Sequence, residues 1–246
     1  MAINYSFSTY TVNGASFQVI KTHCSNLRSE VIKMPLCNTN YYGINGGVFN
    51  SANGYDQPPT EGLAISWYEG QTTNITTSNA YGNKSRGTFY TYFDTSVNKT
   101  RCGVVQCTTI NDLKSKVGNI AFKTIIGGGD MKLWYSDSSW ETNVFNPEQW
   151  STYANYVGPD PTRTCLGFSI ENNEHVVYLC VSTNGATLFD CRALLNQLGC
   201  FNGIHLDGNN SSQLQVMANG TLIKNIGSTF PPGRYIWNMV RLLNTN

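Results

Sequence analysis

The sequence predicts an α+β fold, a single domain over residues 1–246 with a large mixed β-sheet core and few helices. Three observations predict it. Charged residues make up only 13% of the 246 and hydrophobic residues 40%, with Gly, Asn, Ser and Thr abundant, the balance of a compact chain with many strands and turns. Short stretches of alternating apolar and polar residues recur along the chain, as half-buried strands require. Helical signals are confined to three short stretches.

The first strands are read in Tyr5-Ser6-Phe7, Phe17-Gln18-Val19-Ile20 and Val31-Ile32-Lys33-Met34. Residues 41–50 gather aromatic side chains around the adjacent glycines Gly46 and Gly47, and Pro58-Pro59 closes the loop behind them. Leu63-Ala64-Ile65-Ser66-Trp67 is a short strand between Gly62 and Gly70. Residues 72–101, rich in Thr, Asn, Ser and Tyr and punctuated by Gly82 and Gly87, are expected to form hairpins on the surface.

Residues 111–117 form a short helix, and residues 120–126 a strand that ends in Gly127-Gly128-Gly129. A second short helix is expected from Pro147, suited to a first helical position, to about residue 157. The last third is the best defined. His175-Val176-Val177-Tyr178-Leu179-Cys180-Val181 reads as a buried strand, and Thr187 as an N-cap with Asp190 three residues on. Leu188, Cys191, Leu194, Leu195 and Leu198 then fall on one helical face, and Gly199 sits where a helix ends.

Sixteen basic residues against fifteen acidic ones leave neither a basic stripe nor an acidic tail, which argues against polymeric nucleic acid or a membrane surface as partner. The amino terminus lacks a basic segment followed by an apolar one, and no apolar run approaches the length of a membrane span, so a cytoplasmic protein is expected. Eight cysteines without a C-x-x-C pair, in such a compartment, read as thiols acting as small buried hydrophobes. His23, His175 and His205 stand outside any zinc-type spacing, and His205 reads as a packed structural histidine. The residues leave the oligomeric state open.

The place to look for chemistry is Gly203-Ile204-His205-Leu206-Asp207-Gly208-Asn209-Asn210-Ser211-Ser212. An apolar strand there delivers one carboxylate into a small polar turn, at the strand end where sheet proteins place ligand crevices. Asp-Gly sequences also serve as plain turns, in which the carboxylate bonds its own backbone.

These residues also carry a family resemblance. Ile44-Asn45-Gly46-Gly47-Val48-Phe49 is similar to the I-N-G-G-F-F of the phosphodiester glycosidases, and Glu61-Gly62-Leu63-Ala64-Ile65-Ser66 to their P-x-G-L-x-I. Residues 127–133 fall where the family has G-G-x-P-x-L, with Asp130 in place of the proline, and Arg163-Thr164-Cys165-Leu166-Gly167 resembles R-T-A-I-G. Residues 185–199 follow G-x-T-L-x-E-L-A-x-L-L-x-x-L-G, residues 206–212 resemble L-D-G-G-G-S-S, and residues 234–238 resemble R-x-V-x-N. The motifs come in family order over residues 44–238. The departure that matters is Asn209-Asn210 in place of two glycines, which brings side chains into a loop that otherwise lets a ligand approach the backbone.

The resemblance implies a metal-independent hydrolase, without a cofactor, that cuts the bond between a sugar's anomeric carbon and a phosphodiester. The expected ligand is a small sugar phosphate or nucleotide, in the sharpest form a nucleotide immune signal degraded by a bacterial or phage enzyme. The alternative is a binding protein that sequesters such a ligand uncleaved. Asp207 is the expected carboxylate, as base on water or electrostatic partner of the sugar cation, with Glu61 as a possible second acid. Arg163 and Arg234 suit phosphate oxygens because their guanidinium groups bind them bidentately. Asn45, with Gly46 and Gly47, offers an amide and open N–H groups. Asn50, Thr164, Gly208, Asn209, Ser211, Ser212 and Asn238 complete the expected substrate-binding set.

Overall fold

The computed structural model describes residues 4–51, 54, 56–79, 84–118, 120–149, 162–227 and 232–245. Strands β1 (Tyr5–Val12) and β2 (Ala15–His23) form a hairpin about Asn13-Gly14, two residues that both take positive φ. β3 (Leu27–Met34) follows, and then four short strands, β4 (Gly43–Asn45), β5 (Phe49–Asn50), β6 (Glu61–Gly62) and β7 (Ser66–Tyr68). The long hairpin of β8 (Arg86–Asp94) and β9 (Lys99–Cys107) leads into α1 (Ile110–Val117), whose N-cap Thr109 accepts from the Asp112 N–H. β10 (Ala121–Gly127), β11 (Gly129–Asp130) and the single turn α2 (Asp137–Trp140) come next, α2 widening into a π turn through Phe145. The chain ends with β12 (Thr164–Glu171), β13 (Glu174–Ser182), α3 (Leu188–Gln197), β14 (Asn202–His205), β15 (Leu214–Ala218), β16 (Thr221–Asn225) and β17 (Ile236–Leu242).

The α+β class with few helices is as expected. The strands are shared among a six-stranded sheet ordered β1-β2-β13-β12-β14-β11, a five-stranded sheet ordered β16-β15-β4-β17-β3, a four-stranded sheet ordered β7-β10-β8-β9 and the small pair β5-β6. Every pairing among the described strands is antiparallel. One apolar core joins the three larger sheets, with Leu166, Leu179 and Ile204 from the first, Ile44, Leu214 and Val240 from the second, and Phe89 and Ile126 from the third.

A second core lies on the other face of the six-stranded sheet. Cys165, Tyr178 and Cys180 meet Leu188, Cys191, Leu194 and Leu195 of α3 and Trp140 and Phe145 of the α2 region there. β13 is thus covered on both faces, which is why its sequence is a nearly unbroken apolar run. The capping box of α3 forms as read: Thr187 Oγ1 accepts from the Asp190 N–H at 3.0 Å, and Asp190 Oδ2 accepts from the Thr187 N–H at 2.8 Å. Gly199 takes a φ of 71° just past the helix. Arg192 of α3 is buried, and its guanidinium holds the carbonyls of Met131, Lys132 and Tyr135 together with the Asp137 carboxylate.

Three expectations are corrected. The strand expected at residues 63–67 begins only at Ser66, because Leu63 bonds back to the Val48 carbonyl instead. Residues 72–101 do not lie on the surface as a whole: β8 is a central strand, with Thr88, Phe89 and Thr91 buried. Helical structure near Pro147 starts ten residues earlier than read, at Asp137 after the N-cap Ser136, and Pro147 falls in the turn after it. Residues 150–157 of that expected helix lie outside the described residues. All eight cysteines are free, and all but Cys37 are buried. No helix among the described residues is long and apolar enough to cross a membrane.

Candidate active site

Asp207 lies two residues beyond β14, where the six-stranded and five-stranded sheets meet. Its main chain is locked on both sides: its N–H donates to the Gly46 carbonyl at 3.2 Å, and its carbonyl accepts from Asn45 Nδ2 at 2.7 Å. Asn45 is the last residue of β4 and is buried. Its Oδ1 accepts from the Thr164 hydroxyl at 2.8 Å and from the Gln213 N–H at 3.0 Å. Thr164 Oγ1 also lies 3.0 Å from Ser212 Oγ. A single buried amide therefore ties together the end of β4, the start of β12 and both ends of the loop that follows β14. A fully bonded polar network of this kind fixes one geometry.

The Asp207 side chain is half-buried, and its Oδ1 accepts from the Gly208 N–H at 3.1 Å. Burial pushes its carboxyl above the usual aspartate range, while Arg234, Ser211, Gly208 and Arg163 pull it back. Arg234 donates through Nη1 to Ser211 Oγ at 2.8 Å and through Nη2 to Ser51 Oγ at 2.7 Å, and its guanidinium lies 4.9 Å from the Phe49 ring centroid. Arg163 precedes β12 and is 2% exposed. It stands so close to Gly208 that a Cβ there would come within 3.4 Å of Arg163 Nη1.

The structure thus brings together Asp207, Asn45, Gly46, Arg163, Thr164, Gly208, Ser211, Ser212 and Arg234. Thr164, Ser211, Ser212 and Asn238 are buried and bonded within the protein, so they enter the site as supports of its loop. Asn238 lies one step away, accepting the Gly46 N–H on its carbonyl at 2.8 Å and donating through Nδ2 to Ser29 Oγ at 3.1 Å. Gly46 and Gly47 serve close packing: a Cβ on Gly46 would stand 2.3 Å from Asn238 Oδ1, and one on Gly47 2.7 Å from the Gly127 carbonyl oxygen.

Glu61 is exposed and sits opposite Asn50 in the β5-β6 pair, accepting from Asn50 Nδ2 at 3.1 Å. Its partner Asn50 precedes Ser51, which accepts from Arg234, so Glu61 flanks the cluster. Asn209 is exposed with a φ of 57°, a left-handed conformation that asparagine tolerates well, so the loop keeps its course without a glycine there. Thr162 holds the Asn209 backbone, its carbonyl accepting the Asn209 N–H at 2.8 Å and its hydroxyl donating to the Asn209 carbonyl at 2.7 Å.

His205 is fully buried, and its pKa is lowered to about 3 by burial and by the nearby Arg163 and Arg86 charges, so it is a neutral packing residue at neutral pH. Its ring fills the space a side chain at Gly129 would need. Gln213 and Ser51 belong to the cluster but were missed from sequence, since neither stands in a motif nor carries charge. Among the described residues no group of three or more His, Cys, Asp or Glu could hold a metal ion.

An open groove of about 850 Å³ lies elsewhere, lined in part by Tyr5, Phe7, Lys21, His23 and Met217. Its charged residues Lys21 and His23 are already paired with Glu171 and Glu174. The held carboxylate and arginines of the Asp207 cluster are better suited to chemistry.

The sequence profile of the phosphodiester glycosidases matches residues 38–241, a span that contains the whole cluster around Asp207. No curated protein matches the chain by sequence. Among solved structures, the catalytic domain of zebrafish N-acetylglucosamine-1-phosphodiester alpha-N-acetylglucosaminidase, auto-inhibited by its pro-peptide, superposes with a TM-score of 0.58 at 15% identity, over 99% of this chain and 83% of that one. A protein from Burkholderia pseudomallei superposes with a TM-score of 0.62 at 11% identity, over 94% of this chain and 74% of the other. At such identities the two structures show a shared fold. The profile match over most of the sequence shows more: the chain belongs to the phosphodiester glycosidase family.

Proposed function

We propose that the protein is a hydrolase that cleaves the bond between a sugar's anomeric carbon and a phosphodiester oxygen, with Asp207 as its working carboxylate. The observation that carries this reading is the Asp207 carboxyl, set beside Arg234 on a loop whose backbone Asn45 holds fixed. In the proposed step a water oxygen attacks the anomeric carbon and the bond to the phosphodiester oxygen breaks, that oxygen keeping the electron pair. The water's proton passes to Asp207, whose raised pKa suits it to accept one. A phosphodiester is a good leaving group without full protonation, so the charges of Arg234 and Arg163 take over much of what a second acid does in ordinary glycosidases.

The substrate in this reading is a small sugar phosphate or nucleotide-type compound, and in its sharpest form a nucleotide immune signal destroyed by a bacterial or phage enzyme. Asn209 and Asn210 support a nucleotide by adding two amides to the loop that carries Asp207, where the family has glycines. The same two residues favour the second reading, a protein that sequesters its ligand, because they put side chains on a loop where the family has none. Incubation of the protein and of Asp207→Asn with sugar-1-phosphodiesters, nucleotide-sugars and cyclic nucleotides, followed by mass spectrometry, separates the two. Turnover by the wild type alone supports the hydrolase, whereas ligand bound and recovered intact after denaturation sinks it and leaves the sequestering protein.

A further inference from the structure

Gln213 lies between Ser212 and the first residue of β15 and is 1% exposed. Its main chain pairs with Asn45 in both directions: the Gln213 N–H donates to Asn45 Oδ1, and its carbonyl accepts the Asn45 N–H, each at 3.0 Å. Its side chain reaches two other segments. Oε1 accepts the Leu36 N–H at 2.7 Å, and Nε2 donates to the Arg234 carbonyl at 2.8 Å. A Cβ on Gly233 would stand 3.2 Å from Gln213 Oε1, so the residue before Arg234 also packs on this amide. Arg234 in turn bonds Ser211 and Ser51 through its guanidinium.

We infer that Gln213 is a positioning residue of this site: its buried amide anchors the Arg234 backbone so that the guanidinium stands beside Asp207 and Ser211. The inference rests on the reading of Asp207 and Arg234 given above. The task needs an acceptor facing Leu36 and a donor facing Arg234 on one planar group. Leucine fills similar space but leaves a buried N–H and a buried carbonyl without partners. A glutamic acid keeps both functions while protonated and loses the donor when it ionises.

The test is a carboxyl-carbon NMR titration of Asp207 in the wild type, Gln213→Leu, Gln213→Glu, Arg234→Gln and the Gln213→Leu/Arg234→Gln double variant. Arg234 opposes the upward shift of the Asp207 carboxyl, so Arg234→Gln moves its midpoint higher. Gln213→Leu is expected to move it the same way, with no further shift in the double variant. In Gln213→Glu the Asp207 signal follows the wild type at acidic pH and departs from it as the introduced carboxyl ionises. A wild-type midpoint in folded Gln213→Leu, with Arg234→Gln shifted, overturns the inference. If the leucine variant fails to fold, an Asp207 titration in Gln213→Glu that follows the wild type throughout overturns it instead.

These readouts need no substrate. A wild type that turns over no sugar phosphodiester ends the hydrolase reading, and the titration still decides the role of Gln213. With turnover of the methyl phosphodiester of N-acetylglucosamine 1-phosphate, Gln213→Leu is expected to lower kcat and kcat/KM together by roughly tenfold with a smaller change in KM, as for a weakened charged hydrogen bond to the leaving group.

Discussion

Asn45 Nδ2 donates to the main-chain carbonyl of Asp207 at 2.7 Å, so the β4 strand of one sheet sets the course of the chain leaving β14 of another. The hydrogen bond holds the backbone and leaves the Asp207 carboxylate to face its arginines. Asn45→Asp keeps the shape and the acceptor for Thr164 and Gln213 but replaces this donor by an oxygen. The expected result is a loss of about 1–3 kcal/mol in urea unfolding. A fall in hydrolysis out of proportion to the folded fraction accompanies it.

Asp207→Asn is expected to abolish turnover and to make the protein more stable at neutral pH. The sign follows from the raised carboxyl: the native state binds this proton more tightly than the unfolded chain does, so its contribution is favourable in acid and is lost as pH rises through the native pKa. Below the ordinary aspartate value of 3.8 the two proteins melt together. At pH 7 the variant melts higher, on the order of 2–4 °C for each 1 kcal/mol recovered. A lower melting temperature for the variant at pH 7 counts against a desolvated carboxylate.

His205 acts in the opposite direction. Its pKa falls from 6.5 in the unfolded chain to about 3 in the native state, so its contribution is present above pH 6.5 and drains away as pH falls toward 3. His205→Gln removes this dependence, and the variant's stability is expected to fall less steeply than the wild type's between pH 6.5 and 4. Parallel denaturant midpoints across that range contradict the assignment of a neutral buried ring. The loss of packing against Gly129 lowers the variant's stability at every pH by a constant amount, which does not disturb the slope.

Gly47→Ala tests whether the paired glycines are a packing device. The added methyl would stand 2.7 Å from the Gly127 carbonyl oxygen and 2.6 Å from the Ala64 methyl, so the segments that carry them must give way. A destabilisation of about 1–3 kcal/mol is expected, measured by denaturant unfolding.

What the sequence made legible was local. The Thr187–Asp190 capping box lies within one turn of chain, and the Asp207 strand-to-turn transition within ten residues, so composition and spacing suffice to read them. Division into separate sheets was not legible, because β3 pairs with β17 at the far end of the chain and β4 offers only three residues of pattern. Residues 72–101 misled for a physical reason: Thr88 is polar yet buried, its hydroxyl meeting Asn79 Nδ2 at 3.1 Å. Gln213 gave no signal because its importance lies in three partners brought from residues 36, 45 and 234.

Asn209 and Asn210 decide how far the chain has moved from its family. The Asn209 backbone already adopts the left-handed conformation at a φ of 57°, so Asn209→Gly relieves a little strain and enlarges unfolded-chain freedom by a similar amount. Stability is therefore expected to change by less than about 1 kcal/mol. The functional outcome turns on the two side chains, because both residues follow Asp207 and Gly208 on the same loop. If they narrow the approach, the Asn209→Gly/Asn210→Gly double variant gains turnover of bulky sugar phosphodiesters and keeps its activity on small ones. If they bind part of the substrate, the double variant loses affinity for its preferred compound, seen as a higher KM in a competition assay read by mass spectrometry. An identical substrate profile in wild type and double variant places selectivity outside this loop.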